Sequence, residues 1–219
     1  LGSNVACTLA GAGVGELRIA DYDIVDESNL NRQVLYREPD VASMKVEVAA
    51  RSLKQINSLC SVVTTSGYLG DCQSIEKVCT GTNFIVRAAD TPINFPYLVN
   101  EVSLKLNIPT IGAGFIERFG VLGPVVIPGQ TSCFACFNNE NNEIDVHRSN
   151  FIGPAFGPVV SVVAGLISQE VILHLLGLTS SYFANCMLIY DPLSLGFYKV
   201  DRPIDPQCPI CGNRRGENT

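Results

Sequence analysis

Two cysteine pairs, Cys133-Phe-Ala-Cys136 and Cys208-Pro-Ile-Cys211, each hold two residues between the thiols and together offer four sulfur ligands. Paired knuckles of this spacing suit tetrahedral Zn²⁺, and four protein ligands leave no position open, so the metal would be structural and not catalytic. It would clip the C-terminal tail to the middle of the chain. The alternative is four ordinary buried or reactive thiols. Cys7, Cys60, Cys72, Cys79 and Cys186 lie in apolar segments and read as core or surface fillers.

A second set of chemical groups is spread over the first ninety residues. Asp21 follows a short apolar run and sits where an acid at a strand's carboxyl end accepts from a ribose hydroxyl. Leu1-Gly2-Ser3 opens an apolar helical segment and reads as the end of a glycine-rich loop, with Gly2 beside the phosphates. Beyond Asp21 come Ser28-Asn29-Leu30-Asn31-Arg32-Gln33, then Met44-Lys45-Val46-Glu47 at a helix start and Ala88-Ala89-Asp90-Thr91-Pro92 at a strand end. A ribose-binding acid, an arginine, a lysine and a second acid suit a nucleoside triphosphate: Arg32 and Lys45 neutralise phosphate charge and Asp90 holds Mg²⁺. Taken singly, each is equally well a solvated surface charge. Their common position, at strand ends and helix starts of one face, is what groups them.

The elements that would place these residues alternate. Helices are expected over Leu1 to Val14, Ser43 to Asn57 (with Val46, Ala50, Leu53 and Ile56 at helical spacing), Gln73 to Cys79 and Pro92 to Leu106. Strands are expected at Leu17 to Ala20, Ser61 to Thr65, Phe84 to Ala88 and Thr110 to Phe115. This order predicts an α/β fold of the doubly wound, Rossmann-like kind, with a mainly parallel sheet covered on both faces. From Val121 onward Gly, Pro and Cys punctuate short segments. Strands at Val121 to Ile127, Cys186 to Tyr190 and Gly196 to Val200 predict an antiparallel C-terminal extension. The polar stretch Phe137 to Asn150 is expected to be a mobile surface loop, and Gly157 to Leu178 a buried helix. Residues 1–219 are taken as one domain. A doubly wound sheet normally carries a strand before its glycine loop, so that strand and most of the loop are expected upstream of Leu1.

Composition narrows the classes. Apolar residues make up 47% and charged residues 16% of the 219, which fits a well-buried body and excludes a disordered chain. Fifteen Lys and Arg against twenty-one Asp and Glu give a net charge of −6 with no basic block, so nucleic acid and anionic membranes are not expected partners. Leu1-Gly2-Ser3-Asn4 does not open like a signal peptide, and nine cysteines without a disulfide pattern agree with a cytoplasmic location. His147 reads as an exposed bystander and His174 as a hydrogen-bonded core residue.

With these residues in view, the sequence resembles the ThiF/MoeB-type adenylyltransferases, relatives of ubiquitin-activating enzymes. Leu1 to about Asn213 take part, through the run Ala12 to Asp23, Ser28 to Gln33, Lys45, Asp90 and the two cysteine pairs. Ala89-Asp90-Thr91-Pro92, Gly112-Ala-Gly114-Phe115, Leu122-Gly-Pro-Val125 and Ile127-Pro-Gly-Gln-Thr131 are similar to the MccB-like branch, which acts on ribosomally made peptides. Thr91 departs from the asparagine common among relatives.

The resemblance implies ATP as substrate, Asp21 on its ribose, Asn29, Arg32, Gln33 and Lys45 on its phosphates, and Asp90 on Mg²⁺. It also implies a homodimer and a partner that is a small protein or peptide with a free C-terminal carboxylate. That carboxylate would attack the α-phosphate, giving an acyl-adenylate and pyrophosphate. Phe137 to Asn185 contain no cysteine, so no enzyme thioester is expected. Two other readings stand beside this one: an NAD(P)-dependent oxidoreductase with structural zinc, and a non-catalytic peptide-binding scaffold of the same fold.

Overall fold

The computed structural model describes residues 1–137, 156–178 and 181–212. The segment expected to form a mobile loop, including His147, lies almost wholly outside these residues. In chain order the elements are α1 (Gly2–Gly11), β1 (Glu16–Asp21), α2 (Lys45–Ile56), β2 (Ser61–Ser66), α3 (Cys72–Cys79) and β3 (Ile85–Arg87). They continue with α4 (Phe95–Leu106), β4 (Thr110–Ile116), β5 (Phe119–Val126), α5 (Gly157–Leu175), β6 (Cys186–Asp191) and β7 (Gly196–Asp201).

Local chemistry sets the ends. Asp71 accepts from the Ser74 backbone N–H and the Ser74 side chain answers it, so α3 opens on a reciprocal cap. Helix α4 begins three residues later than its expected start at Pro92, with Pro96 in the first turn, where no intrahelical N–H is needed. It stops at Asn107, whose φ of 55° turns the backbone left-handed. Helix α5 was expected to reach Leu178 but ends at Leu175. Gly177, at φ +66°, donates to His174 O, and Leu178 N–H bonds back to Leu173 O, the paired bonds of a Schellman terminus. In α2 the buried face is Val46, Val48, Ala49 and Leu53. Ile56, expected on that face, is 44% exposed, because the layer below α2 is built from Val25, Leu35 and Tyr36 and ends short of it.

Strands β1 and β2 pair in parallel, as do β3 and β4, while β4, β5, β6 and β7 run antiparallel in sequence. The parallel part and the antiparallel extension are therefore both present. The sheet is not continuous, however: β1–β2 form one sheet and β3 to β7 another. The free edges of β1 and β3 border a cleft lined by Leu17, Ile19, Phe84 and Val86.

The main core lies between α5, α1 and the larger sheet. Val159, Val163, Ala164, Ile167 and Val171 of α5 pack on Val5 and Leu9 of α1 and on Ile111, Leu122 and Val125 of β4 and β5. This explains the membrane-like length of α5: it is apolar because it is a core helix. His174, near its end, stands edge-on to Phe84, with ring centroids 5.1 Å apart, instead of lying in the core.

The cysteine pairs close a separate small cluster. All four thiols are buried and their sulfurs lie within 4.8 Å of one another. Cys133–Cys208, Cys133–Cys136 and Cys136–Cys211 sulfur separations are 3.7, 3.8 and 3.5 Å. A tetrahedron of Zn–S bonds about 2.3 Å long has edges of about 3.8 Å, so the donor set fits such an ion.

Helix α5 and β5 approach so closely that a Cβ on Gly120 would meet Val163 Cγ2 at 2.5 Å and Val159 Cγ1 at 3.1 Å. Gly120→Val should therefore destabilise the chain by about 1–3 kcal/mol through overpacking, read as a lower urea midpoint with an unchanged slope. An unchanged midpoint would mean that α5 and β5 separate freely.

Candidate functional site

The carboxyl ends of β1 and β3 and the start of α1 meet at one cleft of about 1710 Å³. Gly2 begins α1, and a Cβ there would stand 3.3 Å from Ala88 Cβ, just past the end of β3. Small residues at both positions let the helix N-terminus, with its unpaired backbone N–H groups, reach the strand end. Gly2, Asp21, Asn29, Arg32, Gln33, Lys45 and Asp90 all line this cleft. Ser28 does not. It belongs to the turn Glu27–Asn29, where Asp26 accepts from its backbone N–H at 2.8 Å.

Lys45 is the first residue of α2 and is 7% exposed. Its ammonium donates to Asp23 Oδ2 at 2.7 Å, and its backbone N–H to Asp23 O at 3.0 Å. Arg32 donates through Nη1 to Ser28 O at 2.7 Å and to Asn31 Oδ1 at 2.9 Å, which points the guanidinium back along its own turn. A Cβ on Gly157 would lie 2.8 Å from Asn31 O, so the start of α5 presses on this turn from below. Arg32 and Lys45 line the same cleft as Gly2, onto which α1 opens.

Asp21 and Asp90 line the same cleft. Partial desolvation, and then the fields of Asp23, Tyr68, Asp21 and Asp90, raise the Tyr22 phenol above its ordinary range. Tyr22 meets Tyr68 edge-on at 5.3 Å, and the two exposed rings form an aromatic wall beside Asp21. Asn29 is buried, and its Oδ1 has no hydrogen-bond partner among the described residues. That acceptor calls for a ligand donor, whereas a phosphate oxygen would be met by the Asn29 Nδ2 group, which lies 3.5 Å from Ser28 Oγ.

Several residues here have little sequence signal. Asp23 lies two residues past Asp21 and lines the same cleft, and nothing in the spacing tells which of the two acids holds Lys45. Tyr68 follows β2 and comes to Tyr22 through the parallel pairing of β1 and β2, in which Asp21 lies opposite Ser66. Arg87 interrupts what reads as an apolar strand, and that interruption is itself a signal. The cysteine cluster does not line the cleft, but Phe134, in the turn between Cys133 and Cys136, does.

Comparison with known proteins places this arrangement in context. The ThiF family model matches residues 1–210. The chain is 30% identical over 211 residues to "Adenylyltransferase and sulfurtransferase UBA4" of Saccharomyces cerevisiae, covering 94% of this chain and 47% of that protein. It is 31% identical to "Sulfur carrier protein adenylyltransferase" of Thermus thermophilus, covering 97% of this chain and 79% of that one. Among solved structures, E. coli MccB with ATP superposes with a TM-score of 0.87 at 32% identity, covering 96% of this chain and 63% of that one. The chain therefore spans about half the length of the yeast relative and under two thirds of the MccB chain. A family match over nearly the whole chain, joined to relatives above 30% identity and a superposition with a TM-score of 0.87, shows that the chain belongs to the ThiF family.

Proposed function

We propose that this chain adenylylates the C-terminal carboxylate of a small protein or peptide at the expense of ATP, releasing pyrophosphate. The observation that carries the reading is that Arg32, Lys45, Asp21 and Asp90 line one cleft, together with Gly2 at the start of α1. A nicotinamide site has use for an acid such as Asp21 but none for this cation pair.

In this reading Asp21 takes the ribose hydroxyls, and Gly2, Asn29, Gln33, Arg32 and Lys45 take the phosphates. The ammonium of Lys45, already desolvated and aimed by Asp23, meets phosphate charge at little reorganisation cost. Arg32 reaches the phosphates by exchanging its bonds to Ser28 O and Asn31 Oδ1 for phosphate oxygens. Asp90, exposed at the mouth, would hold Mg²⁺, which neutralises pyrophosphate charge when bound. An acceptor carboxylate is ionised at pH 7 and needs no general base. One of its oxygens forms the bond to the α-phosphorus as the bond to pyrophosphate breaks. MccB, whose structure was solved with ATP, is the solved relative that supports the nucleotide.

Three further parts of the reading concern the whole protein. The four-cysteine cluster holds zinc; the protein works in the cytoplasm as a homodimer; and residues 1–219 are one adenylation domain whose sheet takes a further parallel strand between β1 and β3. The absence of cysteine between Phe137 and Asn185 supports an adenylate that passes directly to its next nucleophile, without an enzyme thioester.

Lys45→Ala should lower ATP–pyrophosphate exchange about 10²–10³-fold while the melting temperature stays within a few degrees. Exchange at the wild-type rate would sink the assignment of Lys45. Exchange by the 219-residue chain on its own would show that the further strand is not needed. Mass spectrometry tests the remaining parts. The native spectrum should show a dimer with two zinc ions, and Cys208→Ser should lose the zinc and about 5 °C or more of thermal stability. After incubation with ATP and acceptor, the denatured spectrum should show no thiol-labile adduct; such an adduct would refute the thioester-free route.

A further inference from the structure

Like Arg32, Arg87 lines the cleft and has no carboxylate partner among the described residues. Arg87 ends β3, and alternation along that strand sends Val86 and Ala88 toward α1, with Ala88 against Gly2. Ile85 and Arg87 face the opposite way, Ile85 into the cluster of Phe95, Val99 and Val102 beneath α4. Arg87 lies across from Gly112 of β4, where a Cβ would come within 2.8 Å of its Cζ and Nε. Its other face is turned to Phe134, at 5.6 Å from the ring centroid. The side chain thus lies between bare backbone and an aromatic ring.

Among the described residues one of its five N–H donors reaches an acceptor, Nη1 to Ala89 O at 3.4 Å. No carboxylate lies within ion-pair reach of it among the described residues. Burial lowers its pKa, and Asp90, which pulls the other way, sits three residues further along the chain. A small cavity of about 20 Å³, room for one water, opens beside it between Asn100, Thr110 and Gly123. Arg87, Gly114 and Gly123 also line the main cleft, so the donors face a passage whose walls are partly backbone.

We propose that Arg87 determines acceptor specificity by binding a carboxylate of the acceptor's tail as that tail passes Gly114 and Gly123 toward Asp90. The inference rests on the peptide-adenylylating reading above. A planar fork fixed on Gly112 and Phe134 presents its open edge to a carboxylate bidentately, which a lysine does not. The carboxylate has two sources, the reacting terminus or an acidic side chain near it. Arg87 faces away from the Gly2 side, and three extended residues span about 10 Å, so the geometry favours a side chain shortly before the terminus.

The test uses fluorescein-labelled heptapeptides of Gly, Ser and Ala, with one Asp moved through the four positions before a free terminal carboxyl, together with the Asn counterparts and the terminal amides. Wild type should bind at least one Asp peptide about tenfold or more tightly than its Asn counterpart. Arg87→Met should abolish that difference with ATP affinity and melting temperature retained. Arg87→Lys should restore part of it. Gly112→Ala, which pushes the guanidinium off β4 with Arg87 still present, should also abolish it. A preference lost on terminal amidation and indifferent to Asp position, yet still dependent on Arg87, assigns the terminus as the source.

Equal binding of all peptides by wild type, or a preference that survives in Arg87→Met, overturns the proposal. Pyrophosphate exchange is measured separately. Preference without exchange sinks the adenylylation reading and leaves Arg87 as a carboxylate reader; exchange without preference does the reverse.

Discussion

An ammonium withdrawn from water has to be met by a carboxylate, and in this chain Asp23, just past the end of β1, supplies it to Lys45. The pairing does more than neutralise a charge. The Lys45 backbone N–H also bonds Asp23 O, Val25 N–H bonds Ser43 O, and Ala42 N–H bonds Val25 O. The segment from 23 to 45 is therefore closed at its base like a noose, with Asn29, Arg32 and Gln33 carried on it. Where β1 ends decides where α2 begins, and both together decide where the cations of the site stand.

The rest of the fold holds that noose against the start of α1. Helix α5 packs on α1 and on the larger sheet through Val159, Val163 and Ile167, and its first residue, Gly157, touches the Asn31 carbonyl. One helix thus anchors the core and supports the arginine turn. Its apolarity on most faces follows from contact with a helix and a sheet at once. Gly2 and Gly157 lack side chains for a common reason: at both points a helix start comes against backbone or Cβ atoms that leave no room.

The cysteine cluster does not line the cleft but is joined to its Arg87 side. Phe134 lies in its first knuckle, meets Tyr97 of α4 edge-on at 5.1 Å and faces Arg87. The Phe134 backbone N–H is further held by Asn100 of α4 at 2.8 Å. A metal that stiffens the knuckle would therefore steady the cleft wall beside Arg87.

Much of this protein is written locally. The alternation of helix and strand, the antiparallel run after Val121, the four-cysteine set and the charged residues at strand ends are properties of neighbours in the chain, because propensity, period-2 and period-3.6 patterning and knuckle spacing act over a few residues. Tertiary structure decided what lies across from what. It gave Asp23 and not Asp21 to Lys45, withdrew Ser28 from the cleft wall, set Tyr68 against Tyr22, divided the sheet between β1 and β3, and laid Arg87 on Gly112. Each of these joins residues far apart in sequence, or chooses between near-identical neighbours, by the direction in which a side chain leaves its element. That direction follows from strand pairing and helix packing, which no local pattern encodes.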